Sequence, residues 1–383
     1  MNRKLVILAV FIVYLLSTYF SYSFFSGREG GGWQSPVSSY VPPKGNGVVT
    51  EGVNVPKTEE CPLNGEMLTK NQRALWEKRR PLGVMIENHK EARPQSGLTA
   101  ADIIYEAVAE GGITRFLAIF YCKDAKYIGP VRSARIYFVD TLQEYGRYPL
   151  YAHVGGANTP GPADALGEIR RLNWDSYNDL NQFGVPFPYY WRDYERLPSR
   201  ATEHTVYSTT AKLWEYAKNK RDLTDVDENN KRWDEEFIKW KFKEDAQEKG
   251  NLTKVSFDFW VGKSDYSVEW QYDKTTNSFK RFNGGEPHQD KNNDKQLEVK
   301  NVIVVYMQES SANDGYEGGH LLYKTIGEGK AIVFEDGKAT EGIWRRKSVT
   351  QRIKFYDKKE QEVTFNRGQI FIEILPVGNE VTY

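Results

Sequence analysis

The chain has 383 residues, of which 39% are hydrophobic and 14% aromatic, enough to build cores for two or three domains and to exclude disorder throughout. Lysine plus arginine equals aspartate plus glutamate at 52 each. A protein that coats nucleic acid would be strongly basic, so no nucleic-acid partner is expected.

The basic start Arg3-Lys4 runs into the uncharged stretch LVILAVFIVYLL, and apolar character continues to Phe24-Phe25. About 20 uncharged residues at ~1.5 Å each cross a hydrocarbon core of ~30 Å. We therefore expect a single-pass membrane helix over 1–25, with its N-terminus inside because basic flanks stay cytoplasmic. A cleaved signal peptide is the rival reading, but no Ala-x-Ala site follows the stretch. Both readings put the body on the extracytoplasmic side of the cell membrane. Residues 26–68 are dominated at their start by Gly, Ser and Pro and read as a flexible linker.

The next residues predict a helix over 69–80, a strand over 82–88 and a helix over 100–109, the last opened by a capping box of the form Thr99-x-x-Asp102. A core strand is expected over 113–122, then a helix over 133–145 capped by Ser133. A strand over 149–155 and helices over 162–172 and 209–220 follow. Residues 223–251 are charged and read as a connector. Short strands with turn signals then recur over 255–261, 268–272, 299–308, 330–334, 353–356 and 369–375, with a polar loop over 284–296. The expected class is α+β: an N-terminal membrane helix, a mixed α/β domain over 69–222, and a mostly β domain over 252–383. Trp344 reads as core, and Arg345-Arg346-Lys347 beside it as a solvated edge. Cys61 and Cys122 form no CxxC pair; they read as unpaired thiols, with one disulfide as the alternative.

Charge beside glycine is dense in the first domain. Glu106 and Glu110 would share a helix face at i, i+4, where like charges repel by about 0.2–0.5 kcal/mol. Arg132 and Arg135 at a helix start oppose the macrodipole by roughly 0.3–1 kcal/mol each. Such groups want counter-ions. They either satisfy one another as an internal network or form an anionic-ligand site in which arginines grip carboxylate or phosphate. On the second reading the ligand-binding candidates are Arg93, Gln95, Arg115, Arg132, Ser133, Arg135 and Asp193. Should the site be catalytic, the candidates are Glu87, Glu106, Glu110, His153 and His204, as general acids or bases. HExxH, GxSxG, Walker and GxGxxG patterns do not occur, so no cofactor is expected. His89, His153 and His204 lack ligand spacing, so no metal is expected.

The segments PLGVMIEN (81–88), ARPQSGL (92–98), ADIIYE (101–106), EGGITRF (110–116) and IGPVRSAR (128–135) closely resemble the YerB-like family of bacterial surface proteins. Residues 190–196, 203–209, 329–337 and 342–344 resemble its later segments. The resemblance implies a two-part extracytoplasmic protein, in this family usually a lipoprotein. This chain lacks the Cys that would be lipidated directly after the apolar stretch. No activity comes with the resemblance. We expect binding or regulation at the cell envelope, with peptidoglycan or wall-synthesis proteins as partners. The competing expectation is a wall hydrolase or transferase using paired carboxylates.

Overall fold

Four runs, LGVMIE, ITRFLAIF, NVIVVYM and IFIEILP, are apolar at almost every position, and such runs suit strands covered on both faces. They become central strands of one sheet. The computed structural model describes residue 17 and residues 55–383. Its main sheet has ten strands. Five come from the first half: β1 (Leu82–Glu87), β2 (Ile103–Glu110), β3 (Ile113–Phe120), β4 (Leu150–His153) and β5 (Asp179–Asn181). A second sheet is centred on β6 (Lys254–Phe257), β7 (Val268–Asp273) and β8 (Ser278–Asn283). The main sheet is completed by β9 (Asn301–Met307), β10 (Gly327–Glu335), β11 (Lys338–Arg346), β12 (Lys354–Asp357) and β13 (Ile370–Pro376). Its strand order is β12-β11-β10-β9-β13-β2-β3-β1-β4-β5.

The two halves of the chain meet inside this sheet. β13 runs parallel to β2, with Ile370 opposite Ile103 and Glu373 opposite Glu106. Register then sorts the side chains. Glu106, Phe116 and Ile86 share one face, while Ala107, Arg115 and Glu87 share the other. The second sheet lies over the first of these faces, since Trp270 and Arg281, opposite each other on β7 and β8, reach Glu373 and Glu106.

Four α-helices occur among the described residues: α1 (Lys70–Trp76), α2 (Ile136–Leu142), α3 (Ala165–Arg171) and α4 (Thr210–Arg221). Thr69 caps α1 through a capping box with Gln72. The expected α+β class is corrected to mostly β with some helix. The membrane helix expected over 1–25 lies, apart from residue 17, outside the described residues. Among the described residues no helix is long and apolar enough to cross a membrane.

Several local expectations also change. Residues 100–109 do not form a helix; most of them belong to strand β2. Asp102 is not a helix cap. Its carboxylate accepts the backbone N–H groups of Tyr121 and Cys122 at 2.7 and 2.9 Å, pinning the end of β3. Gly111 and Gly112, both at positive φ, close the tight β2–β3 hairpin. Pairing on both edges of β2 outweighs the helix propensity of its alanines. Ser133 caps nothing either, because α2 starts after Arg135. The two cysteines are joined in a disulfide, Cys61 to Cys122, not left as thiols. Trp344 is core, as expected, and its indole donates to the Tyr306 carbonyl at 2.9 Å. Arg346 beside it is buried and bonds three backbone carbonyls, those of Asp140, Val349 and Gln351. In the 284–296 segment, Asp290 is buried and accepts the N–H groups of Gly97 and Thr99, docking that segment on the first half.

Candidate functional site

Most of the residues singled out from the sequence fall into two clusters on opposite faces of the main sheet. Glu106 belongs to the sealed one. It is fully buried with Arg281, to which it is ion-paired, and with Glu373. Arg281 Nε lies 3.7 Å from Glu373 Oε1, which also accepts from Trp270 Nε1 at 2.9 Å. Two carboxylates side by side in register repel. Burial, reinforced by the neighbouring Glu106, pushes the Glu373 acid well above the carboxylate range, which favours one neutral acid beside one ion pair. The aromatic rings of Phe116, Trp270 and Phe371 surround the guanidinium. Asn88 Nδ2 donates to Glu106 at 3.0 Å, and Asn88 Oδ1 accepts from Arg93, Gln95 and Asn283. Gln95 Oε1 faces His288 Nε2 at 2.8 Å, and His288 Nδ1 faces Arg281 at 2.8 Å. Burial, then Arg281, holds the His288 imidazole well below its ordinary value, hence neutral, with Nδ1 accepting and Nε2–H donating. Burial likewise lowers Arg93 to about 10.

The second cluster sits at the open end of β1 and β3. Glu87 closes β1, register-paired with Arg115. One Glu87 oxygen accepts from Arg132 Nε at 3.0 Å, and the other faces His204 Nδ1 at 2.9 Å. Glu87 is buried, but 27% of the Arg132 side chain is exposed. The imidazole of His89 stacks on that of His204 with centroids 4.9 Å apart and planes 6° from parallel. Burial, then His204, lowers His89 below its ordinary value. Glu91, 45% exposed, lies 3.6 Å from His204 Nε2. Beside them, Glu110 is ion-paired with Arg135 and with Arg115 at 3.5 Å, and Arg115 Nη1 donates to the Ser133 carbonyl at 3.0 Å. Burial lowers Arg115 to about 10, with Arg135 adding to it.

Glu87, Glu110, Arg115, Arg132, Ser133, Arg135 and His204 are thus brought together, and Glu106, Arg93 and Gln95 belong to the sealed face. His153 stands apart, fully buried, with Nε2 2.6 Å from Asp179 and Nδ1 2.7 Å from the Gly155 carbonyl. Asp193 also stands apart; its carboxylate accepts the N–H groups of Glu195 and Arg196 in a turn. A cavity of about 1050 Å³ opens beside the second sheet, lined in part by Trp260, Phe282, Glu269 and Glu309. None of the candidates lines it.

Residues 65–224 match the N-terminal domain, and residues 255–372 the C-terminal domain, of a family described as a protein of unknown function, DUF3048. The Bacillus subtilis (strain 168) protein named "Putative lipoprotein YerB" is 32% identical over 322 residues, 84% of this chain and 87% of that one. The chain belongs to the YerB-like family. The crystal structure of the YerB protein from Bacillus subtilis matches this YerB-like fold with a TM-score of 0.68 at 26% identity, covering 85% of this chain and 100% of that one.

In this YerB-like chain, sequence reasoning missed Arg281 and Glu373, whose roles depend on a sheet formed between distant halves. It also left His89 and Glu91 out of the site. Their proximity to His204 depends on a contact spanning more than 100 positions, and no local spacing announces it. One missed signal was local: Gly111-Gly112 between two apolar runs marks a hairpin, which would have turned 100–109 from helix to strand.

Proposed function

We propose that the protein acts in the bacterial cell envelope, outside the cytoplasm and associated with the membrane, and that it binds or regulates at the wall through the open cluster. The name of its relative, "Putative lipoprotein YerB", supports the location. The Cys61–Cys122 disulfide supports it too, because disulfides persist in oxidising compartments. The observation that carries the binding reading is Arg132. Its side chain is oriented by buried Glu87 yet partly exposed, whereas Arg115 and Arg135 at the same sheet end are buried and paired with Glu110. Guanidinium groups held this way suit carboxylates and phosphates, which anionic wall polymers and peptidoglycan stems carry.

The test is to mix the full-length chain in mild detergent with purified wall sacculi, following both co-sedimentation and released soluble fragments. Co-sedimentation without release, weakened several-fold in Arg132→Ala, is expected. Fragment release that stops in Glu110→Gln would establish the hydrolase reading instead. Absence of both binding and release overturns both wall readings and leaves a wall-synthesis protein as the partner to test.

A further inference from the structure

The five histidines of the chain are differently committed. His153 and His288 have both ring nitrogens engaged with protein partners, and His320 Nδ1 is held by Asp314 at 2.7 Å. Among the described residues His204 and His89, like His320, each have one hydrogen-bonded nitrogen: His204 Nδ1 on Glu87, and His89 Nδ1 3.2 Å from the Glu91 N–H. Unlike His320, these two rings lie against each other, with His204 Nε2 3.6 Å from Glu91. One ligand atom from each of His89, Glu91 and His204 lies within 4.8 Å of the others. Cys61, Asp102 and Cys122 are grouped as tightly, but their sulfurs are consumed in the disulfide and cannot ligate.

We propose that His89, Glu91 and His204 form a binding site for a divalent transition-metal ion of the zinc type. Two imidazoles and one carboxylate are a zinc donor set, whereas magnesium and calcium take oxygen ligands. Three protein ligands leave the fourth position of a tetrahedral ion open, and the partly exposed Glu91 puts that position next to solvent. The surroundings match as well. A ligating histidine usually gives its other nitrogen to a carboxylate, which sets the tautomer and the ring orientation. Glu87 occupies that place on His204 Nδ1, which leaves Nε2 for the metal, and Arg132 fixes Glu87 from its other oxygen. Bonds of about 2.0–2.2 Å require donor atoms about 3.3–3.5 Å apart, so the set must close by up to about 1.5 Å, and the stacked imidazoles must turn out of parallel for both lone pairs to meet the ion. His89 and Glu91 can make that movement, because His89 caps and Glu91 lies within a short 3-10 turn, Lys90–Ala92, with Glu91 half exposed.

This proposal does not rest on the wall reading, and its test contains no wall material. The tag-free full-length chain in detergent, stripped with a chelator, is titrated with Co²⁺ and then Zn²⁺, following the visible Co²⁺ absorption and bound metal. One equivalent is expected, with Zn²⁺ displacing Co²⁺. His89→Ala and His204→Ala should each abolish stoichiometric binding. Glu87→Gln should weaken it about 10–100-fold without abolishing it. Glu91→Gln, at a half-exposed position that keeps the fold intact, should weaken binding and alter the Co²⁺ spectrum. No saturable binding by the unaltered chain overturns the proposal, as does unchanged binding and spectrum in Glu91→Gln.

Discussion

Two carboxylate–arginine clusters occupy opposite faces of one sheet and differ in what closes them. On the sealed face, Arg281 arrives from the second sheet and caps Glu106 and Glu373 where the two halves of the chain meet. All three are without exposed surface. A group of this kind costs desolvation and is held by geometry, so it fixes how the halves pair and cannot meet a polymer. On the open face, Glu87 is buried but its partner Arg132 reaches solvent, as does Glu91 on the far side of His204. The same residue types therefore serve cohesion in one place and offer recognition in the other, and burial of the partner decides which. A further buried carboxylate strengthens the cohesive side. Glu144, just beyond α2, accepts from Tyr105 at 2.6 Å, from Arg352 at 2.8 Å and from the Ile353 N–H at 3.0 Å, again joining the two halves.

The contrast can be broken by measurement. Arg281→Met leaves two buried carboxylates without a cation and should cost about 3–5 kcal/mol in denaturant unfolding. A loss no larger than that of Arg132→Ala would remove the distinction between the faces. Replacing both cysteines with serine should cost about 2–4 kcal/mol, because the bridge closes a long loop from the edge of the first half to the end of β3. An unchanged unfolding midpoint would show that packing alone holds that edge.

The pH dependence tests the sealed side at Asp102. Burial pushes its carboxyl up to about 6, against the N–H groups of Cys122 and Tyr121 that favour the anion. Between about pH 4 and 6 the folded chain then keeps a proton that the unfolded chain releases. The contribution is fully present below about pH 4 and is lost as pH rises through 6, by about 3 kcal/mol at most. Asp102→Asn should flatten that part of the stability–pH curve; an unchanged slope refutes the assignment. The smallest effect belongs to the open face. Arg132→Ala should change stability by less than about 1 kcal/mol, since its ion pair is partly solvated.

Much of the architecture is legible in the chain itself. The apolar runs at 82–88 and 113–122 announce core strands, because no partly solvated strand tolerates so many buried side chains in a row. Thr69 announces a helix start, and the long motifs announce the family before any fold is known. Of the Glu and Arg residues singled out beside glycines, Glu87, Glu110, Arg115, Arg132 and Arg135 lie together at one sheet end. Tertiary structure decided the rest. Residues 100–109 carry a helical signal in isolation, and only pairing with β3 and β13 makes them a strand. Glu106 and Glu110 look alike in sequence, yet one is sealed by Arg281 and the other lies at the edge with Arg135. Pairing of the cysteines and the approach of His89 to His204 likewise join positions far apart in the chain. Local sequence sets local conformation through sterics and hydrophobic period, whereas burial and partnership arise when distant segments share one sheet, and no local pattern encodes that distance.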